Sequence, residues 1–222
     1  MDRHEYWNSI YQSKAVTDVS WFEAEPQVSL ELIKAASPAR GSVIDVGGGA
    51  SRLVDRLITD GFTSVTVLDV SEIALQRAKE RLGAQAEQVH WIVGDICQIA
   101  ELPTCDVWHD RAVFHFLTDL SDRLKYIELM TRTVRIGGHV VMGSFAIDGP
   151  LKCSGLEVCQ YDAATLSREL GQRFRLLREL NYLHTTPTGK PQQFLFGLFE
   201  VLPPLQVTPV EPVPRSTTTF PG

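Results

Sequence analysis

Between Val43 and Phe145 short apolar runs alternate with amphipathic stretches, and this alternation restricts the chain to few architectures. Val43 to Val46 reads as a buried strand. Ser51 then caps a helix that pairs Leu53 with Leu57 and Val54 with Ile58, and Gly61 ends it. Val65 to Leu68 is a second strand, and Ser71 caps a helix with Leu75, Ala78 and Leu82 on one face. Val89 to Val93 makes a third strand, and Asp106 to Trp108 opens a fourth. Leu120, Leu124, Ile127 and Val134 mark a long helix, after which Gly137 and Gly138 turn the chain into a fifth strand, His139 to Phe145. Strands joined through helices need crossover connections, and crossovers build a parallel sheet.

The last part of this region reads differently. Asp162 caps a short helix that runs to Leu170. Phe174 to Tyr182 and Gln193 to Val201 are strands joined by the turn-rich link TTPTGKP, which makes them an antiparallel pair. The expected fold is therefore α/β and doubly wound, a mostly parallel seven-stranded sheet closed by an antiparallel C-terminal pair. Residues 41–202 form this domain. Residues 1–40 precede it as an aromatic-rich leader with a helix over Gln27 to Ala36. Residues 203–222 carry six prolines and little apolar periodicity, which predicts an extended or disordered tail.

A net charge of -6 over 222 residues, without a polybasic block, argues against a nucleic-acid-binding role. The opening MDRHEYW has no apolar signal core, and no run approaches the roughly 20 apolar residues of a membrane span. A cytoplasmic chain without a membrane partner is expected. The spacing of Cys97, Cys105, Cys153 and Cys159 fits no zinc pattern, so no metal is expected.

The segment Asp45-Val46-Gly47-Gly48-Gly49-Ala50-Ser51 joins the first strand to the first helix of the domain. Glycines let the backbone approach a ligand closely, and free amides at a helix start favour an anionic group. Asp69 ends the second strand, where a carboxylate accepts both hydroxyls of a ribose. Asp95 follows the third strand, where an adenine amino group would lie. A nucleotide- or dinucleotide-binding protein shares part of this pattern, but it wants G-x-G-x-x-G, and Ser51 and Arg52 stand where the last glycine belongs.

DVGGGAS, LDVS and GDI, in this order, resemble motifs one to three of class I S-adenosylmethionine-dependent methyltransferases, over roughly Gly41 to Val201. The resemblance implies S-adenosylmethionine as cofactor and S-adenosylhomocysteine as product. It implies that Gly47 and Gly49 line the methionine part, that Asp69 holds the ribose, and that Asp95 with Ile96 frames adenine, with Asp45, Gly48, Ser51 and Val70 as further cofactor-binding residues. Trp7, Tyr11 and Trp21 of the leader are expected to cover the cofactor, because methyl transfer wants a dry site.

Trp108-His109-Asp110-Arg111-Ala112 resembles the W-D-R-G-A segment of thiopurine methyltransferases, with His109 as an extra residue. The D-R element is also shared with seven-β-strand protein lysine methyltransferases, although Ala112 replaces its glycine. The acceptor is accordingly expected to be a small molecule, a thiol or other soft nucleophile, with a protein lysine as the alternative. His109, Asp110, Arg111 and His115 are the catalytic candidates, two imidazoles able to take a proton and an acid–base pair able to place the acceptor. Cys153 and Cys159, in the loop after the fifth strand, are a candidate thiol pair for a soft metalloid acceptor.

Overall fold

The computed structural model describes residues 2–204; the proline-rich tail beyond residue 204 lies outside the described residues. The leader forms α1 (Arg3–Ser13), a short 3-10 turn (Val16–Asp18) and α2 (Gln27–Ala36). The domain then runs β1 (Ser42–Val46), α3 (Leu53–Thr59), β2 (Ser64–Asp69), α4 (Glu72–Leu82), β3 (Val89–Val93), β4 (Cys105–Arg111), α5 (Leu120–Thr133) and β5 (Val134–Phe145). A small hairpin, β6 (Lys152–Cys153) and β7 (Leu156–Glu157), precedes α6 (Ala163–Leu170), β8 (Phe174–Thr185) and β9 (Pro191–Val201).

Seven of these strands make one sheet in the order β3-β2-β1-β4-β5-β9-β8. The pairs from β3 through β5 are parallel, whereas β9 runs antiparallel to both β5 and β8. The fold is the Rossmann-like sheet expected from the pattern of the chain. The strand order reverses between β1 and β4, so their carboxyl ends diverge into a crevice.

Alternation along the strands sorts the core into two layers. Ile44, Val46 and Trp108 face α5 and α6, packing with Tyr126, Met130 and Leu166. Val43, Val65 and Val107 face the other way, onto Ile33 of α2, Leu57 of α3 and Leu75 of α4. Among the described residues, no helix is long and apolar enough to cross a membrane.

Helix α5 departs from the expected face. Leu120 and Leu124 are 59% and 57% exposed, and Val134 already belongs to β5. The buried stripe is Tyr126, Leu129, Met130 and Thr133 instead. Tyr126 sets this rotation, because its hydroxyl accepts from the Trp108 indole at 2.8 Å and its ring packs edge-on against it. The glycine pair of β5 also behaves differently. A Cβ on Gly138 would meet the Asp106 carbonyl at 2.8 Å, so the pair lies inside the strand, beside the irregular register between β4 and β5.

Candidate active site

The carboxyl ends of β1, β2, β3 and β4 border a cleft of about 930 Å³, open mouth included. Its floor is the turn after β1. Gly47 and Gly49 have φ of +67° and +45°, which side-chain-bearing residues rarely adopt. A Cβ at Gly47 would lie 2.0 Å from Val113 Cγ2, and one at Gly49 would lie 2.9 Å from Asp69 Oδ2 and 3.0 Å from the Tyr11 hydroxyl. The amides of Gly47 and Gly48 donate to the Leu68 carbonyl, at 2.7 and 3.2 Å, which ties the turn to β2. Ser51 contributes at the helix start, its hydroxyl accepting from the Leu53 amide at 3.1 Å. Asp45, Gly48, Ser51 and His109 border a second, smaller recess on the far side of Gly47.

Asp69 is buried at the end of β2, and its Oδ1 accepts from the Ser71 amide at 2.7 Å. Burial pushes its carboxyl up to about 7, reinforced by the nearby Asp45 and opposed by the backbone donors of Ser71 and Gly49. A buried carboxylate short of donors suits a ligand that brings two hydroxyls. Val70, Asp95 and Ile96 continue the wall of the cleft from β2 to β3.

The leader roofs the cleft. Trp7, Tyr11 and Trp21 all line it. The Trp7 ring meets Trp21 at 5.7 Å and Phe116 at 5.1 Å, both edge-on, and Tyr11 meets Trp21 at 6.1 Å. Polar anchors hold α1 across the mouth. The Ser71 hydroxyl donates to the Asn8 side chain at 2.7 Å, the Arg77 guanidinium donates to the Lys14 carbonyl at 2.8 Å, and the Tyr6 hydroxyl donates to the Ser154 carbonyl.

Strand β4 splits Trp108, His109, Asp110 and Arg111 between the two core layers. His109 is buried, with Nδ1 2.7 Å from Asp45 Oδ1 and Nε2 2.9 Å from the Ser29 hydroxyl. Asp110 is fully buried on the other face. It accepts from the amides of Val113 and Phe114, at 2.9 and 3.0 Å, and from the Tyr126 hydroxyl at 2.5 Å. Burial raises its carboxyl to about 6 in spite of these three donors. Asp110 does not line the cleft.

Arg111 does line it. One nitrogen donates to the Trp21 carbonyl at 2.8 Å, another lies 3.0 Å from Glu23, and the guanidinium sits 5.0 Å over the Phe194 ring. Burial lowers its pKa, against the pull of Glu23. Ala112 follows with φ +72°, so the position where the resembled segment carries glycine adopts a left-handed backbone here. His115 is fully buried between Phe116 and Phe145, at ring distances of 4.5 and 4.7 Å. Burial first and Arg111 second push its pKa down to about 3. The Phe145 amide donates to its Nδ1 at 3.4 Å.

The two thiols of the β5 loop part company. Cys153 is buried in the layer of α2 and borders the cleft, with its thiol pushed up to about 11 by burial. Cys159 packs against the opposite layer and faces the Leu117 carbonyl. Among the described residues no three His, Cys, Asp or Glu side chains come together as a metal site.

Sequence reasoning missed Arg3, Asn8 and Glu23, which tie the leader to the domain. Their partners in the domain lie 63 or more residues away, beyond any local spacing. It also missed Val113 and Leu117, which line the cleft from the turn after β4.

The doubly wound sheet, its switch point and the glycine turn beside a buried carboxylate have the arrangement of the Rossmann-like methyltransferase fold. Residues 43–138 match the family described as "Methyltransferase domain". The eEF1A lysine and N-terminal methyltransferase of Mus musculus is 26% identical over 150 residues, 64% of this chain. The chain spans only 21% of that protein's length. Two solved structures extend the likeness across the fold. One concerns conversion of a disulfide bond into a thioacetal group during echinomycin biosynthesis, with TM-score 0.73, 18% identity, and 90% of this chain and 92% of that one covered. The other is the N-methyltransferase NodS from Bradyrhizobium japonicum WM9 with S-adenosyl-L-homocysteine, with TM-score 0.66, 18% identity, and 90% and 99% covered. Residues 43–138 therefore carry a methyltransferase domain, and the chain shares the fold of S-adenosylmethionine-dependent methyltransferases.

Proposed function

We propose that this domain methylates a small, soft acceptor, a thiol or thiolate above all, inside the closed aromatic cleft. One observation carries the reading. The acceptor end of the cleft, between β4 and the β6–β7 hairpin, is lined by Trp7, Trp21, Phe116, Leu156, Cys153 and Arg111, with no carboxylate and no imidazole. When bound, S-adenosylmethionine supplies an activated methyl group, so the protein's share is alignment and exclusion of water. A lysine must first lose a proton, and no side chain at this end is free to take it, since Arg111 is already paired with Glu23. A thiol of ordinary acidity needs no such base.

In this reading Gly47, Gly48 and Gly49 cradle the methionine part, with Asp45 and Ser51 at its polar end. Asp69 accepts the ribose hydroxyls, and Val70, Asp95 and Ile96 hold adenine. Arg111 and the aromatic roof place the acceptor. His109, Asp110 and His115 are positioning residues that fix β4 and the turn after it, because each already spends its polar atoms on the protein or is sealed from the cleft. The separation of Cys153 from Cys159 speaks against a metalloid held between two thiols. The mouse relative's lysine and N-terminal methylation supports the second reading, a protein amine acceptor. Product analysis with methyl-labelled cofactor separates the two. Label on small thiols supports the proposal, and label only on lysines or N-termini of lysate proteins overturns it.

A further inference from the structure

Arg3 differs from the other α1 residues at the cleft in reaching two carboxylates on separate elements. Its Nη1 donates to Asp95 Oδ1 and Oδ2, at 3.3 and 3.0 Å, and its Nη2 pairs with Asp122 Oδ2 at 2.5 Å. Asp95 lies just beyond β3, and Asp122 in the first turn of α5. The Asp95 and Asp122 side chains are only 14% and 19% exposed, so salt screens these pairs partly rather than wholly. Arg3, Val70, Gly94 and Asp95 line the cleft on one side and an outer recess on the other. The guanidinium is thus part of the partition between the cleft and solvent at the end where β2 and β3 finish.

We propose that Arg3 is the gate of the cofactor cleft, its double ion pair to Asp95 and Asp122 closing the adenine end and opening to let cofactor in and product out. The proposal rests on the reading of Asp95 as the adenine partner. A carboxylate offers about four acceptor sites. Arg3 and the Cys97 amide, which donates to Oδ1 at 2.9 Å, leave room for an exocyclic amino group. One carboxylate then serves both latch and ligand, so a bound adenine and a closed gate support each other. The remaining anchors of α1, Asn8 at Ser71 and Tyr6 at Ser154, keep the helix in place while the arginine swings. The gate acts on exchange of ligand and leaves the acceptor end untouched.

The test is release of S-adenosylhomocysteine from the full chain, followed by tryptophan fluorescence at low and high salt, since Trp7 and Trp21 line the cleft. Release from the unaltered protein is expected to quicken with salt. Arg3→Ala is expected to release roughly tenfold faster at low salt, the usual weight of one charged hydrogen-bonded contact, and to lose most of the salt dependence. Arg3→Lys is expected to fall between, because one ammonium cannot span both carboxylates with a planar fork. Asp122→Asn should move release in the same direction and add little to Arg3→Ala. A folded Arg3→Ala protein with unchanged release and unchanged salt dependence overturns the gate. Asp95→Ala placed in the Arg3→Ala background reads the adenine contact alone. A further loss of affinity there supports that contact, and no further loss removes it while the gate still stands on faster, salt-insensitive release.

Discussion

Asp69 is the residue through which pH is expected to act on cofactor binding. Its carboxyl, raised to about 7 by burial, must be ionised to accept two ribose hydroxyls. Affinity for S-adenosylhomocysteine is therefore expected to climb as pH rises through about 7, with a proton released on binding near neutrality. Calorimetry in buffers of different ionisation enthalpy measures that proton. Asp69→Asn should bind more weakly, abolish the proton release and flatten the pH dependence; an unaltered profile in that variant takes Asp69 out of the site. Asp110 calls for a different outcome. Removing it strands the Tyr126 hydroxyl and two amides in the core, so Asp110→Ala is expected to cost about 3 kcal/mol of stability. Denaturant melts measure this. A variant of full stability that turns over a thousandfold more slowly would restore Asp110 as a catalytic group.

The turn after β4 is the element that most shapes the cleft. It swings from β4 through Ala112 into the 3-10 turn Phe114–Phe116, and Asp110 caps it by taking the amides of Val113 and Phe114. The left-handed backbone at Ala112 costs a side-chain-bearing residue about 1–2 kcal/mol, while glycine gives back part of this in the unfolded chain. Ala112→Gly is expected to raise stability by about 0.5–1 kcal/mol, seen as a higher Tm, and Ala112→Val to lower it. The roof obeys similar logic. Helix α1 contributes a single fully buried side chain, Tyr11, and otherwise holds on through polar anchors and the edge-on aromatic cluster. Helices held so lightly open locally before the core does. Amide exchange in α1 is expected to slow when S-adenosylhomocysteine binds; equal exchange in both states makes α1 ordinary packing.

At the scale of the molecule, three buried groups bend the dependence of stability on pH. Asp69 and Asp110 have raised pKa values, so their contribution is fully present below about pH 4 and is lost as pH rises through about 6 and 7. His115 is depressed to about 3, so its contribution is present above about 6.5 and is lost as pH falls towards 3. Between about pH 4 and 6 the two carboxyls outweigh the one histidine, so these groups put maximal stability of the unliganded chain well on the acid side of neutrality, near pH 4. Bound S-adenosylhomocysteine should shift the maximum upward, because it favours ionised Asp69. Thermal melts across pH with and without ligand test both statements, and a maximum at alkaline pH without ligand contradicts the first.

The element order, the parallel sheet with its antiparallel end and the glycine turn that borders the cleft were legible in the chain itself. These depend on short-range physics: strand and helix periods, caps such as Ser71 and Asp162, and a glycine turn whose neighbours in sequence are its neighbours in space. Even Ala112 carried a local sign, standing where the resembled segment has glycine. Only the tertiary structure decided the rest. Leu120 and Leu124 look like a buried face until Tyr126 meets Trp108 and turns α5 the other way. His109 and Asp110, adjacent in sequence, look like one catalytic group until the pleat of β4 sends them to opposite layers, one to Asp45 and Ser29 and the other to Tyr126. Arg3 carries no signal in its own neighbourhood, because Asp95 and Asp122 reach it only once the sheet has brought the ends of β3 and α5 beneath α1. Local pattern determines which elements form and what a turn can cradle, whereas the direction and company of a polar side chain depend on packing between residues far apart in the chain.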